Sequence, residues 1–228
     1  MASNRQLKSK IRTVGNIKQI TKAMQMVSAT KMRKSQEVAL QARPFAKKAL
    51  DLLSRLSQNG QQEEQGIFWD VKEGKTCLIV ITSDKGLCGS FNSQVLRQAL
   101  SWTQDNEDVD VIAVGRKGKD FFVRRGITPV AEFSSFSDIV TLQDVTSLTE
   151  WVLQAFLKGE YAKVMIIYTE FVSALSQKPE LHQVLPFDAE QLREVIEGIV
   201  PKTGKYSEWQ EHNGGEEEET SFLLESSP

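Results

Sequence analysis

Seven residues, Ser83 to Gly89 (SDKGLCG), bring together a hydroxyl, a carboxylate, an ammonium, a thiol and two glycines. They lie between an apolar run and a stretch of helical spacing, where successive backbone N–H groups can cradle a phosphate. One reading is therefore a nucleotide- or phosphate-binding α/β enzyme that uses this loop. The other is a tight turn that needs its glycines only for backbone freedom. The segment has neither the G-x-x-x-x-G-K-[ST] pattern nor G-x-G-x-x-G spacing, which favours the turn. Cys88 stands near Lys85, and a neighbouring cation lowers a thiol pKa, but no histidine lies close in sequence to serve as its base.

Other candidates are thinner. Gly115 to Gly118 (GRKG) follows an apolar run and reads as a turn opening a helix. His182 and His212 are the only histidines and are far apart, so a metal centre is not expected. Cys77 and Cys88 give neither a disulfide framework nor metal-ligand spacing, in keeping with a reducing compartment. No Ser/His/Asp set or carboxylate pair emerges. Catalysis by this chain alone, and a cofactor, are not expected.

The elements that position these residues begin with a long helix. From about Ser3 to Gln58, apolar residues recur at three- and four-residue steps: Leu7, Ile11, Val14, Ile17, Ile20, Met24, Val27. After a blurred stretch the pattern resumes as Val38, Ala42, Phe45, Ala49, Leu52, Leu56, a heptad seam. Pro44 removes one backbone bond and predicts either a bend or two helices meeting at Arg43-Pro44. A helix of ~56 residues is ~84 Å long, whereas a compact domain of the remaining ~150 residues has a radius of gyration of ~15 Å. Much of the helix must project, and its stripe needs a second helix or another subunit to cover it.

The rest alternates strand and helix. Strands are expected at Cys77–Thr82, Val109–Val114, Ile127–Phe133 and Lys163–Thr169, with helices from Ser90 or Asn92 to Thr103, from Gly115 to Arg125 and from Val145 to Leu157. That order predicts a Rossmann-like, mostly parallel sheet. Gln183–Phe187 is expected at its edge, ending at Pro186. Residues 188–197 have helical spacing, 202–220 form an acidic loop and Phe222–Leu224 resumes a strand-like pattern. The expected division is a shaft helix over 1–58, a connection over 59–75, an α/β domain over 76–200, and an acidic loop with a final strand over 201–228.

The net charge of −2 conceals a split. Residues 1–56 carry 13 basic and two acidic residues, a balance of +11, and the remainder carries −13. Two such segments face different partners, and composition alone leaves nucleic acid, acidic lipid and an acidic protein surface open. A nucleic-acid binder would neutralise phosphates with these charges. The helix has a single aromatic, Phe45, and its charges accompany a seam suited to helix packing, which weighs against that partner. No apolar run approaches the ~20 residues that span a bilayer, and the N-terminus has no apolar signal core.

Three segments are more specific. Ile20 to Gln36 (ITKAMQMVSATKMRKSQ), Ala42 to Ala46 (ARPFA) and Ser83 to Gly89 followed by Asn92 closely resemble the gamma subunit of F-type ATP synthases. Gln177, Val184 to Pro186 (VLP) and Phe222 to Glu225 (FLLE) resemble later landmarks, in order, nearly to the end of the chain. The resemblance implies a bent but continuous helix at Pro44. It implies a non-catalytic central rotor, whose shaft pairs two helices inside a hexamer of alpha and beta subunits. The α/β domain at its foot lies near an epsilon subunit and a membrane ring of c subunits.

Carried over by position, Ile20, Lys22, Met24 and Val27 face the hexamer or the partner helix. Ser83, Asp84, Lys85, Gly86, Leu87, Cys88 and Gly89 form a packing or docking loop, and Phe222, Leu223, Leu224 and Glu225 meet the membrane ring. The family also implies a peripheral position on the cytoplasmic face of a bacterial membrane, without insertion. Two departures stand out. Lys18-Gln19 reverses the usual order before Ile20, and the sequence stops where the family continues into its C-terminal helix, so a shaft lacking that half is expected.

Overall fold

The structure is a computed structural model, and it describes residues 4–59, 74–137, 140–173 and 176–187. The expected helix over 188–197, the acidic loop and the segment Phe222–Glu225 lie outside the described residues.

The first element, α1, runs unbroken over Asn4–Asn59 with Pro44 inside it. The alternative of two helices meeting at Pro44 does not hold. A proline costs one backbone bond, and 56 residues of mostly strong helix formers sustain the helix on either side. Among the described residues, no helix is long and apolar enough to cross a membrane.

Five strands form one sheet in the order β3-β2-β1-β4-β5. They are β1 (Thr76–Ile81), β2 (Val109–Val114), β3 (Ala131–Phe133), β4 (Lys163–Phe171) and β5 (Gln177–Leu185). The first four are mutually parallel, and β5 runs antiparallel to β4. The connecting helices are α2 (Phe91–Asp105), α3 (Arg116–Val123) and α4 (Leu142–Leu157).

A parallel sheet is buried on both faces, so its central strands read as continuous apolar runs. Alternate residues of β1 supply the two halves of the core. Cys77 and Ile79 join Ile112, Phe156, Tyr161 and Val164 on the face covered by α4. Leu78 and Val80 join Val95, Leu96, Val111, Phe122 and Ile167 on the face covered by α2 and α3.

Three boundaries differ from expectation by three residues or more. The third strand is only Ala131–Phe133. Residues 127–130 instead tie back to their surroundings, the Ile127 amide donating to the Phe122 carbonyl and the Val130 amide to that of Val111. The edge strand begins at Gln177 rather than Gln183, and Pro179 fits it because an edge position does not require an outward N–H. Helix α4 starts three residues before Val145, since the Thr141 amide and hydroxyl both donate to the Asp144 carboxylate at 2.8 Å. The amide bond is one half of a capping box, and both bonds hold the Asp144 carboxyl below its ordinary pKa, the amide contributing most.

Candidate functional site

The loop Ser83–Ser90 leaves the C-terminal end of β1, the edge where open α/β sheets bind ligands. It is built over a buried hydroxyl. Thr82 Oγ1 donates to the Val114 carbonyl at 3.0 Å and accepts the Gly118 N–H at 2.8 Å. This draws the start of α3 hard against β1. Gly115, at φ +93°, has no room for a side chain there, because a Cβ would overlap the Thr82 carbonyl. The two glycines of GRKG thus serve close packing, in line with the turn expected from the sequence.

Asp84 decides between the two readings of the loop. Its Oδ1 accepts the Arg116 N–H at 2.9 Å, and its Oδ2 accepts the Ser135 N–H at 2.8 Å. The Arg116 guanidinium lies 3.9 Å from Oδ1. The Lys117 N–H donates to the Ser83 carbonyl at 3.2 Å. The amides that open α3, where a phosphate would sit, are therefore already satisfied by groups of the chain itself. A cleft of about 300 Å³ lined by Thr82, Ser83, Asp84, Lys85, Gly115 and Phe136 remains beside them. Asp84 lines it beside Lys85, and with the Arg116 and Ser135 amides spent on its carboxylate the cleft offers phosphate no cradle of free N–H groups at the start of α3.

The far side of the loop is held by Asn92. Its Oδ1 accepts the Ser83 N–H at 3.0 Å, and its Nδ2 donates to Ser83 Oγ at 2.8 Å and to Cys88 Sγ at 3.1 Å. Neither Ser90 nor Asn92 caps α2 as expected. Ser90 precedes the helix without a side-chain bond to it, and the Asn92 amide is committed to the loop. Between these two anchors the tip projects, with Leu87 at φ +63° and 96% exposed.

Cys88 is exposed and has no base or second thiol beside it among the bonds of the loop. Cys77 is buried, and burial pushes its thiol up to about 12, with the Asp110 carboxylate adding to the shift. The described residues contain no cluster of metal-ligating side chains. His182 lies on β5, its ring tilted over Tyr168 at 5.7 Å.

The second candidate surface is α1. Leu7, Ile11, Val14, Ile17, Ile20, Met24 and Val27 are each between 50% and 65% exposed. Phe45, on the later seam, is 72% exposed. At 100° per residue, Ile20, Met24 and Val27 share one face. Lys22 lies on the opposite face, so the four residues grouped in the sequence cannot all meet one partner. The ring contacts Phe222–Glu225 lie outside the described residues.

The family model for ATP synthase matches residues 3–227. An ATP synthase gamma chain of Desulfitobacterium hafniense is 39% identical over 189 residues, covering 82% of this chain and 67% of that relative. One of Roseiflexus castenholzii is 38% identical over 194 residues, with the same coverage of 82% and 67%. The fold also matches a chain in the central stalk and c-ring structure of the Tetrahymena thermophila mitochondrial ATP synthase. There the TM-score is 0.58 and the identity 25%, over 84% of this chain and 83% of that one.

Proposed function

The chain belongs to the gamma-chain family of ATP synthases, and from that premise we propose that it is a central rotor, carrying torque between a membrane ring of c subunits and a hexamer of alpha and beta subunits. Rotation of an asymmetric shaft would change the three catalytic interfaces in turn and so couple ion flow to ATP synthesis or hydrolysis. The chain transmits force and performs no chemistry.

The observation that carries this reading is the uncovered stripe of α1. Burying a large apolar side chain stabilises by about 1.5–3 kcal/mol. Covering seven of them is worth on the order of 10 kcal/mol, comparable to the whole net stability of a domain. A helix of this kind is built to be covered. Its face at Ile20, Met24 and Val27 fits a partner helix, leaving Lys22, with Lys18 and Arg33 on the same side, to face the wall of the hexamer.

The division of the chain follows: residues 1–58 as shaft, 59–75 as connection, 76–200 as the domain at its foot, and 201–228 as the segment approaching the ring through Phe222–Glu225. The Ser83–Gly89 loop, with its exposed Leu87, serves as a docking element. The partners are the alpha, beta and epsilon subunits and the c ring, and the location is peripheral, on the cytoplasmic face of a bacterial membrane.

Co-expression with tagged alpha and beta subunits tests the reading. The full chain is expected to co-purify with them at about one copy per three of each. A chain that elutes alone in every preparation overturns it.

A further inference from the structure

We propose that Asp84 is a positioning residue, an internal anion that locks the Ser83–Gly89 loop into a preformed knob with Leu87 at its tip; this deepens, and rests on, the reading of that loop as a docking element. Leu87 combines two unfavourable features. It is a non-glycine residue in left-handed backbone, at φ +63°, and its apolar side chain is 96% exposed. Such a conformation persists only where the surroundings over-determine it.

Asp84 supplies that constraint from one side. Its side chain is 20% exposed. It joins three segments that are distant in sequence, with bonds across 32 residues to the Arg116 amide and across 51 residues to the Ser135 amide. Ser135 is itself left-handed at φ +66°, which aims its N–H at the carboxylate. Asn92 supplies the constraint from the other side by holding Ser83 and Cys88. The Ser83 hydroxyl also donates to the Lys85 carbonyl, so only Gly86 and Leu87 are left between anchors, too few to rearrange. Bonds to a carboxylate are about twice as strong as neutral ones, so Asp84 is the firmer of the two ties.

An asparagine at position 84 keeps one acceptor but turns its NH2 toward one of the two facing amides. The lock would then open while the sheet beneath stays intact. If Asp84 acts through Leu87, its effect on the assembled complex must vanish once Leu87 is gone.

The test uses the full chain with Asp84→Asn, Leu87→Ala and the double substitution. Hydrogen exchange is read in the chain alone, and the ATP hydrolysis rate after assembly with alpha and beta subunits. Asp84→Asn is expected to speed exchange of the amides at the two ends of the loop, Ser83 bonded to Asn92 and Phe91 bonded to the Cys88 carbonyl, about tenfold and leave β1 and β2 unchanged. Each single substitution is expected to lower the hydrolysis rate by roughly threefold, and the double by no more than Leu87→Ala alone. Unchanged loop exchange in Asp84→Asn overturns the proposal, as does a further loss in the double. A hydrolysis rate untouched by Leu87→Ala sinks the docking reading instead, and the exchange result still decides for or against the lock. Should Asp84→Asn not fold, Asp84→Ser carries the same comparison.

Discussion

Gly115 lies directly beneath Thr82, so close that a Cβ on the glycine would overlap the Thr82 carbonyl oxygen. Two backbones meet here because the end of β1 and the start of α3 must touch for the loop above them to be braced. Gly115→Ala is strained twice, by this overlap and by φ +93°. It is expected to destabilise the domain by about 3 kcal/mol, seen as a lowered urea midpoint with unchanged slope. Gly118→Ala meets only the side chain of Thr82, its hydroxyl at 3.0 Å and its methyl at 3.4 Å, and is expected to cost less.

The same contact makes Thr82 more than filler. Its hydroxyl is buried and satisfies the Gly118 amide at 2.8 Å. Thr82→Val keeps the shape but leaves that amide only its longer bond to the Gly115 carbonyl at 3.2 Å, for an expected loss of about 1 kcal/mol. Thr82→Ser keeps the hydroxyl and is expected to lose less. A larger loss for Thr82→Ser than for Thr82→Val in urea denaturation would show that the methyl, not the bond, matters.

How much of this was legible in the sequence depends on range. Strand β2 has the bounds expected from its apolar run, since a strand buried on both faces is apolar throughout. The helix α1 followed from its three- and four-residue steps, even across Pro44. The first half of β5 did not, because Gln177, Lys178, Pro179 and Glu180 are polar or strand-breaking and only an edge position accepts them. Asp84 was visible as a loop residue, but its partners lie 32 and 51 residues away, beyond any local spacing rule. The turn reading of the loop rested on missing glycines; the bonds of Asp84 give its positive cause.

The start of α4 responds to acid. Thr141 holds the Asp144 carboxyl below its ordinary value of 3.8. A carboxylate with a depressed native pKa contributes stability that is fully present above the unfolded value and lost as pH falls through the native one. Protection of the first-turn amides of α4 is therefore expected to be constant above about pH 5 and to decline only below the ordinary carboxylate value of 3.8. Thr141→Val, which removes the hydroxyl donor, should shift that decline upward in hydrogen-exchange profiles.

The two thiols are expected to separate cleanly. Cys88 is exposed and Cys77 buried, with its pKa raised to about 12. A maleimide at neutral pH should label one thiol per native chain and two in denaturant, with mass mapping to Cys88 first. The raised pKa has a consequence for stability too. The neutral thiol is favoured in the fold, so this contribution is whole below the ordinary value of 9.0 and is lost as pH rises from there toward 12. Cys77→Ala should flatten the alkaline part of the stability profile.

The exposed face of α1 separates folding from assembly. Ile20, Met24 and Val27 lie on one side of the helix and are all at least half exposed, so they contribute little to the stability of the chain alone. Surface substitutions of this kind usually change stability by less than about 0.5 kcal/mol. In a complex the same side chains would be covered, and putting a charge on a covered apolar face costs several kcal/mol. Met24→Glu is therefore expected to leave the unfolding midpoint of the isolated chain unchanged and to weaken co-purification with alpha and beta subunits by at least about tenfold. Lys22→Glu, on the opposite face, should show a different signature. Its penalty is a charge reversal against the surrounding wall, so it is expected to depend on salt, whereas that of Met24→Glu is not. If both variants lose association to the same degree at low and high salt, the assignment of the two faces is wrong.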